Sequence, residues 1–271
     1  MLDGHHREAP GVPVLEVDGL TAGYTRIPVI SGVSLAAYQG RVSAVVGPNG
    51  SGKSTMLKAI VGLLGHEGKV VHNRENVSGW PTHRIVRHGL GYAPQVQNVF
   101  PSLSVVENLE AGAFFQRARL HESLERVFGM FPDLERAAGK KAGTLSGGQR
   151  KMLAIARVLM SEPTVVVLDE PTAGLAPGYV DTVWQRIRDI ARTGAAVLVV
   201  EQNVELALDN ADFVYVLVGG RCVISGTAEE ARHHDLAAIF LGALGSIDST
   251  SSMVETTTSP SVRSRKQSEP T

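Results

Sequence analysis

The stretch GPNGSGKST, residues 47–55, constrains this chain more than any other. It follows RVSAVVG (41–47), an apolar run that reads as a strand buried on both faces. It opens GKSTMLKAIVGLL (52–64), which reads as a helix. Glycines at 47, 50 and 52 let the turn curl until successive N–H groups point inward, and the helix start adds partial positive charge. Such a turn cradles phosphate. The pattern G-x-x-x-x-G-K-[ST] in this strand–turn–helix context assigns Gly47, Pro48, Asn49, Gly50, Ser51 and Gly52 to the cradle. Lys53 supplies a full charge to the β- and γ-phosphates, Ser54 offers a hydroxyl to Mg²⁺, and Thr55 adds a phosphate contact.

The rest of the chain supports a matching frame. TVVVLDE (164–170) and AAVLVVE (195–201) also read as buried strands, and PGYVDTVWQRIRDIAR (177–192) and NVELALDNA (203–211) read as helices. The alternation predicts an α/β fold with a parallel sheet covered by helices. DFVYVLVGGRCVISG (212–226) reads instead as two strands about a Gly-Gly turn. Three helical patterns follow one another in 104–160 with no strand between them: SVVENLEAGAFFQRARL, ESLERVFGMFPDL and GGQRKMLAIARVLM. They read as a helical insertion, a second lobe. The expected organisation is a flexible tail over 1–12, a core over 13–95 and 161–245, a helical subdomain over 96–160, and a Ser/Thr-rich disordered tail over 246–271.

Composition narrows the class. With 43% hydrophobic residues the chain can build a packed core. Its 26 basic and 27 acidic residues leave a formal charge of −1, which does not point to nucleic acid as a partner. A single cysteine, Cys222, excludes a disulfide framework and suits a reducing compartment. The start MLDGHHREAPG has no apolar segment of a secretory signal, and no apolar run approaches the roughly 18–20 residues that cross a bilayer.

Three further stretches carry chemistry. VVVLDE (165–170) ends a buried strand in Asp169 and Glu170. Acids before Pro171-Thr172 also suit a capped turn. Downstream of a phosphate loop they fit better as the second half of a nucleotide site, with Asp169 in the Mg²⁺ shell and Glu170 as the base for the attacking water. The strand at 195–201 ends in the triplet Glu201, Gln202, Asn203, and ligands in open α/β sheets sit beyond such strand ends. Finally, LSGGQ at 145–149 starts a helix with a Ser N-cap and two unhindered glycines, a second anion-binding helix start.

With GPNGSGKST, LSGGQ and VVVLDEPTAGL in this order, the chain resembles the nucleotide-binding subunit of ATP-binding cassette transporters over about residues 13–245. The resemblance implies a P-loop NTPase (RecA-like) core with an antiparallel β portion and the inserted helical subdomain. It implies ATP and Mg²⁺ as ligands. It implies two cassettes paired head-to-tail, so that Ser146, Gly147, Gly148 and Gln149 act on the partner's ATP. Gln95, in GYAPQ, matches the loop residue that touches Mg²⁺ and the membrane partner, and Tyr24, in TAGYTRIP, matches the aromatic that stacks on adenine. The segment VQNVFPSLSVVENL (96–109) lies where the family docks its transmembrane subunit.

The family's site ends in a His contacting the γ-phosphate, and here that position is Gln202. Glu-Gln-Asn there, GLAP (174–177) and VSGWPTHRIVRHGLGYAP (77–94) resemble an ATPase subunit of branched-chain amino acid importers. Gln95 departs from that subunit, which often has Glu; related urea and short-amide importers often have Gln. An amide donates a hydrogen bond as a neutral imidazole does but does not titrate near pH 7. The implied catalytic set is Glu170, Gln202 and Lys53, and the implied metal set is Ser54, Gln95 and Asp169. The implied partners are transmembrane permease subunits, a second cassette (different or identical) and, indirectly, a solute-binding protein. The implied location is peripheral, on the cytoplasmic face of the cell membrane. A soluble cassette ATPase acting on ribosomes or DNA would carry two cassettes in one chain or a long coiled coil, and this chain has neither. LSGGQ has no place in a small-molecule kinase. The His5-His6 and His233-His234 pairs and the VRSRK cluster (262–266) read as solvated surface, Arg84 and Arg87 as solvent-facing, and Cys222 as a small core residue.

Overall fold

The three apolar runs at 41–47, 164–170 and 195–201 become adjacent parallel strands in the computed structural model, which describes residues 11–96 and 99–240. The expected tail from 246, the pairs at 5–6 and most of the N-terminal tail lie outside those residues.

In chain order, the first half runs β1 (Pro13–Ala22), β2 (Ile30–Tyr38), β3 (Val42–Val46), α1 (Lys53–Ile60), β4 (His66–His72), β5 (Glu75–Asn76), α2 (Thr82–Arg87) and β6 (Leu90–Ala93). Four helices follow without a long strand: α3 (Val105–Gly112), α4 (Leu120–Met130), α5 (Pro132–Arg136) and α6 (Gly147–Leu159). The chain then returns through β7 (Val165–Asp169), α7 (Pro177–Arg192), β8 (Ala196–Glu201), α8 (Val204–Asn210), β9 (Phe213–Val218), β10 (Arg221–Thr227) and α9 (Ala228–Arg232). Residues up to His234 form one compact unit, and a second begins at Asp235.

Two sheets carry the core. One has strand order β10-β9-β3-β8-β7-β6, parallel throughout except for β10 on β9. Every residue of β3, β7 and β8 is buried, which is why these strands read as unbroken apolar runs. The other is antiparallel, of order β2-β1-β4-β5. Its strands alternate between buried and exposed positions, and Leu15, Val17, Leu20 and Val70 join Met56, Leu57 and Ile60 of α1 in the core between the sheets.

Some expected helices are shorter. The pattern at 104–120 stops at Gly112, where the backbone runs so close to Arg157 that a Cβ would meet its carbonyl at 2.2 Å, and it resumes only as a 3₁₀ turn at Arg117–Arg119. The pattern at 122–134 breaks at Phe131, before Pro132, which starts α5. The two arginines read as solvent-facing, Arg84 and Arg87, are exposed, and each also lies over an aromatic ring. The Arg84 guanidinium lies 3.4 Å from the Trp80 ring centroid, and Arg87 lies over Phe115 at 4.9 Å. Cys222 is half-buried, with its thiol donating to the Ile224 carbonyl.

Candidate functional site

Parallel strands put their carboxyl ends on one edge, and the order β3-β8-β7-β6 decides which loops meet there. The loop after β3 holds residues 47–52, β8 delivers Gln202, β7 delivers Asp169 and Glu170, and β6 leads to Gln95. Asn49, Gly50, Gly52, Lys53, Ser54, Thr55, Gln95, Glu170 and Gln202 line one cleft of about 390 Å³.

The loop geometry suits an anion. Gly52 caps α1 with φ +101°, a left-handed backbone that L side chains rarely adopt, and a Cβ there would lie 2.4 Å from Ile30 Cγ2. No side chain caps this helix start, so its N–H groups are available to a ligand. Lys53 is buried and its Nζ donates to the Gly47 and Pro48 carbonyls at 2.8 and 3.0 Å. Burial pushes its pKa down, against the pull of Glu170, Asp169 and Glu201. Ser51 is buried with no hydrogen-bond partner for its hydroxyl. Below the loop, Ser54 Oγ donates to Asp169 Oδ1 at 3.4 Å. Mg²⁺ is held by one or two protein oxygens plus phosphate oxygens and water, and this hydroxyl–carboxylate pair is such a donor set.

Asp169 is buried, and desolvation with the adjacent Glu170 raises its pKa. Glu170, one residue on, is half-buried and accepts a 2.6 Å hydrogen bond from Gln95 Nε2. Its φ of +47° is left-handed, a strained conformation for a side chain that is not glycine.

The triplet closing β8 divides into three roles. Glu201 turns inward: it is 2% exposed and accepts from the Thr172 amide at 3.2 Å and the Thr172 hydroxyl at 2.6 Å. Desolvation raises its pKa, while those bonds and the Gln202 amide favour the carboxylate. Asn203 caps α8, accepting from the Leu206 amide. Gln202 is left exposed on the cleft wall.

Tyr24 is 59% exposed and lies beside α1 rather than in the cleft lining, its hydroxyl accepting from Lys58 Nζ at 3.1 Å. That bond lowers its pKa. Ser146, Gly147, Gly148 and Gln149 are also outside the lining, at the start of α6. Ser146 and Gln149 form a reciprocal capping box. Gly148 is not unhindered: a Cβ there would lie 2.4 Å from Tyr179 Cδ1, so glycine is required for the α7 tyrosine to pack on the helix start.

Three contributors were not anticipated from the sequence. An acid closing an apolar strand does single out Glu201, but only the fold turns it towards Thr172. Tyr179 is apparent only once α7 lies against α6. Lys151, on the second turn of α6, donates to the Gln95 and Glu170 carbonyls, both at 3.1 Å, and no sequence pattern announces it.

A family profile described as "ABC transporter" matches residues 30–173. The chain is 41% identical to the probable branched-chain amino acid transport ATP-binding protein LivF of Archaeoglobus fulgidus, over 80% of this chain and 93% of the relative. It is 37% identical to the high-affinity branched-chain amino acid transport ATP-binding protein BraG of Pseudomonas aeruginosa, over 79% and 93% respectively. Among solved structures, it is similar to the ADP conformation of MJ1267, an ATP-binding cassette of an ABC transporter. The TM-score is 0.76 with 27% identity, covering 86% of this chain and 100% of that one.

Proposed function

The chain belongs to the ABC transporter family, and from that premise we propose that it is the ATP-hydrolysing subunit of an importer for branched-chain amino acids. The observation that carries the reading is the single cleft that brings together Lys53, Ser54, Glu170 and Gln202. The names and identities of the LivF and BraG relatives support the substrate class.

In this reading the loop amides and Lys53 bind the β- and γ-phosphates of ATP, and Tyr24 stacks on adenine. Mg²⁺, when bound, neutralises phosphate charge as hydrolysis proceeds. Ser54 and Asp169 would hold it, with Gln95 beside them. Glu170 takes the proton from a water whose oxygen attacks the γ-phosphorus, while the bond to the ADP oxygen breaks. Gln202 orients the γ-phosphate or that water through its amide. A second cassette, of a different sequence or the same, presents its LSGGQ helix to this ATP, and Ser146 and Gly147 serve the partner's. A separate transmembrane permease receives the closure, in line with described helices too short or too polar to cross a membrane. The chain then sits at the cytoplasmic face of the membrane.

The test is reconstitution of the chain with its permease pair and second cassette in proteoliposomes. ATP-dependent accumulation of radiolabelled leucine, absent without this chain, is expected. Accumulation of urea or a short amide instead would move the substrate class, and ATP-independent transport would remove the role. In the same preparation, Gln202→Ala should lower hydrolysis at least about tenfold while ATP binding changes less, since an orienting contact acts mainly on the transition state. Unchanged turnover would leave Gln202 a bystander.

A further inference from the structure

Building on this ATPase reading, we propose that Lys151 is a positioning residue that ties the signature helix α6 to the general base of the same chain.

Glu170 needs such holding. Its backbone lies in the left-handed region, which a side chain other than glycine keeps only where its surroundings over-determine it. Three elements supply those surroundings. The Glu170 amide donates to the Val200 carbonyl of β8 at 2.9 Å. Its carboxylate accepts from Gln95 Nε2, after β6, at 2.6 Å. Its carbonyl accepts from Lys151 Nζ of α6 at 3.1 Å, and also from the Ala173 amide at 3.3 Å within its own turn. Lys151 grips the Gln95 carbonyl at 3.1 Å as well. The result is a closed ring: lysine to both backbones, and the two side chains to each other.

The lysine is suited to this work. Its ammonium is a compact donor with three protons on a flexible stem, so it reaches two carbonyls that no backbone group of α6 could serve. It is half-buried, and burial lowers its pKa against the attraction of Glu201, Glu170 and Asp169. The same helix begins at Ser146, so displacement of the signature end moves the lysine that locates Glu170 and Gln95.

Removing the ammonium takes its donor from the Gln95 carbonyl and leaves the Glu170 carbonyl with the 3.3 Å Ala173 amide, without touching the nucleotide-lining side chains. Misplacement of a reacting group by about 1 Å costs about a hundredfold in rate. The full chain assembled with its permease should therefore lose at least about tenfold in kcat on Lys151→Met. KM for ATP and the affinity for trinitrophenyl-ATP should stay within about twofold, since neither depends on the base. Lys151→Arg, whose guanidinium can also bridge two carbonyls, should recover most of kcat. Hydrogen exchange at the Ala173 amide should quicken in Lys151→Met and stay slow in Lys151→Arg, with or without nucleotide. If Lys151→Met does not fold, Lys151→Gln, too short to span both carbonyls, replaces it with the same expected split.

Wild-type kcat in Lys151→Met, an arginine variant as slow as the methionine one, or a KM that moves with kcat would each overturn the proposal. A wild-type chain that neither binds nor cleaves ATP would instead overturn the ATPase reading, while the exchange experiment would still decide whether Lys151 holds the 170–173 turn.

Discussion

Glu170→Gln is expected to leave ATP bound and to slow its cleavage by about a hundredfold or more, the range removed with a positioned general base. The substitution is nearly isosteric. A glutamine oxygen at 170 can still accept the Gln95 amide, so the 2.6 Å contact and the left-handed turn can persist. What disappears is the ability to take a proton. In the proposed reading, phosphate binding rests on other groups: the uncapped N-terminus of α1, Lys53 and the Ser54–Asp169 pair. Single-turnover hydrolysis and equilibrium ATP binding in the assembled transporter separate the two effects. Full turnover in this variant would show that the attacking water loses its proton elsewhere, and the catalytic assignment at the end of β7 would fail.

Acidification should destabilise the fold, chiefly through one buried histidine far from the cleft. His72 is fully buried at the end of β4. Its Nε2 meets Thr164 Oγ1 at 2.9 Å, its Nδ1 has no hydrogen-bond partner, and its ring packs edge-on against His88 at a centroid distance of 5.1 Å. Burial, with His88 adding to it, pushes its pKa from 6.5 down to about 4. The native state therefore favours the neutral ring. Above pH 6.5 neither state is protonated and the full stability is present. As pH falls from 6.5 towards about 4, the unfolded chain binds a proton that the folded chain refuses, so stability declines. At about 1.4 kcal/mol per pH unit, that window is worth about 3 kcal/mol. For a chain of this size the melting temperature should fall by about 6–12 °C across it. Asp169 and Glu201, whose pKa values are raised, act in the opposite sense, losing stability as pH rises above the carboxylate range. Their contribution is shared by a His72→Gln variant, so the comparison isolates the histidine. The variant should show a flatter melting temperature between pH 6.5 and 4; an unchanged slope would place the acid sensitivity elsewhere.

Stretches whose residues answer to their immediate neighbours were the legible ones. The phosphate loop is local: strand, tight turn and helix start lie within one short segment, and every group that makes the cradle belongs to it. The same holds for the strands buried on both faces and for the Gly-Gly hairpin, where Gly219 and Gly220 both take positive φ between β9 and β10. The antiparallel sheet was harder to read. β1 pairs with β2 and β4 through register shifts, so its alternation is interrupted. The first two helical patterns of 104–160 are longer than the helices they form: α3 ends at Gly112, and the second breaks at Phe131, before Pro132.

By itself, the sequence determined the chemistry within reach of the backbone: a lysine and a hydroxyl beside a glycine cradle, two acids closing a buried strand, and a capped glycine helix start. It also places an amide, Gln202, at the end of β8, where the family it resembles has a histidine. What only the tertiary structure decided is which of these groups meet. Strand order β3-β8-β7-β6 puts Gln202 between the cradle and the acids, turns Glu201 away to hold Thr172, and brings Lys151 of α6 onto the carbonyls of Gln95 and Glu170. Those contacts join residues distant in the chain, and their geometry comes from the order in which strands pair and helices pack, which local pattern does not encode.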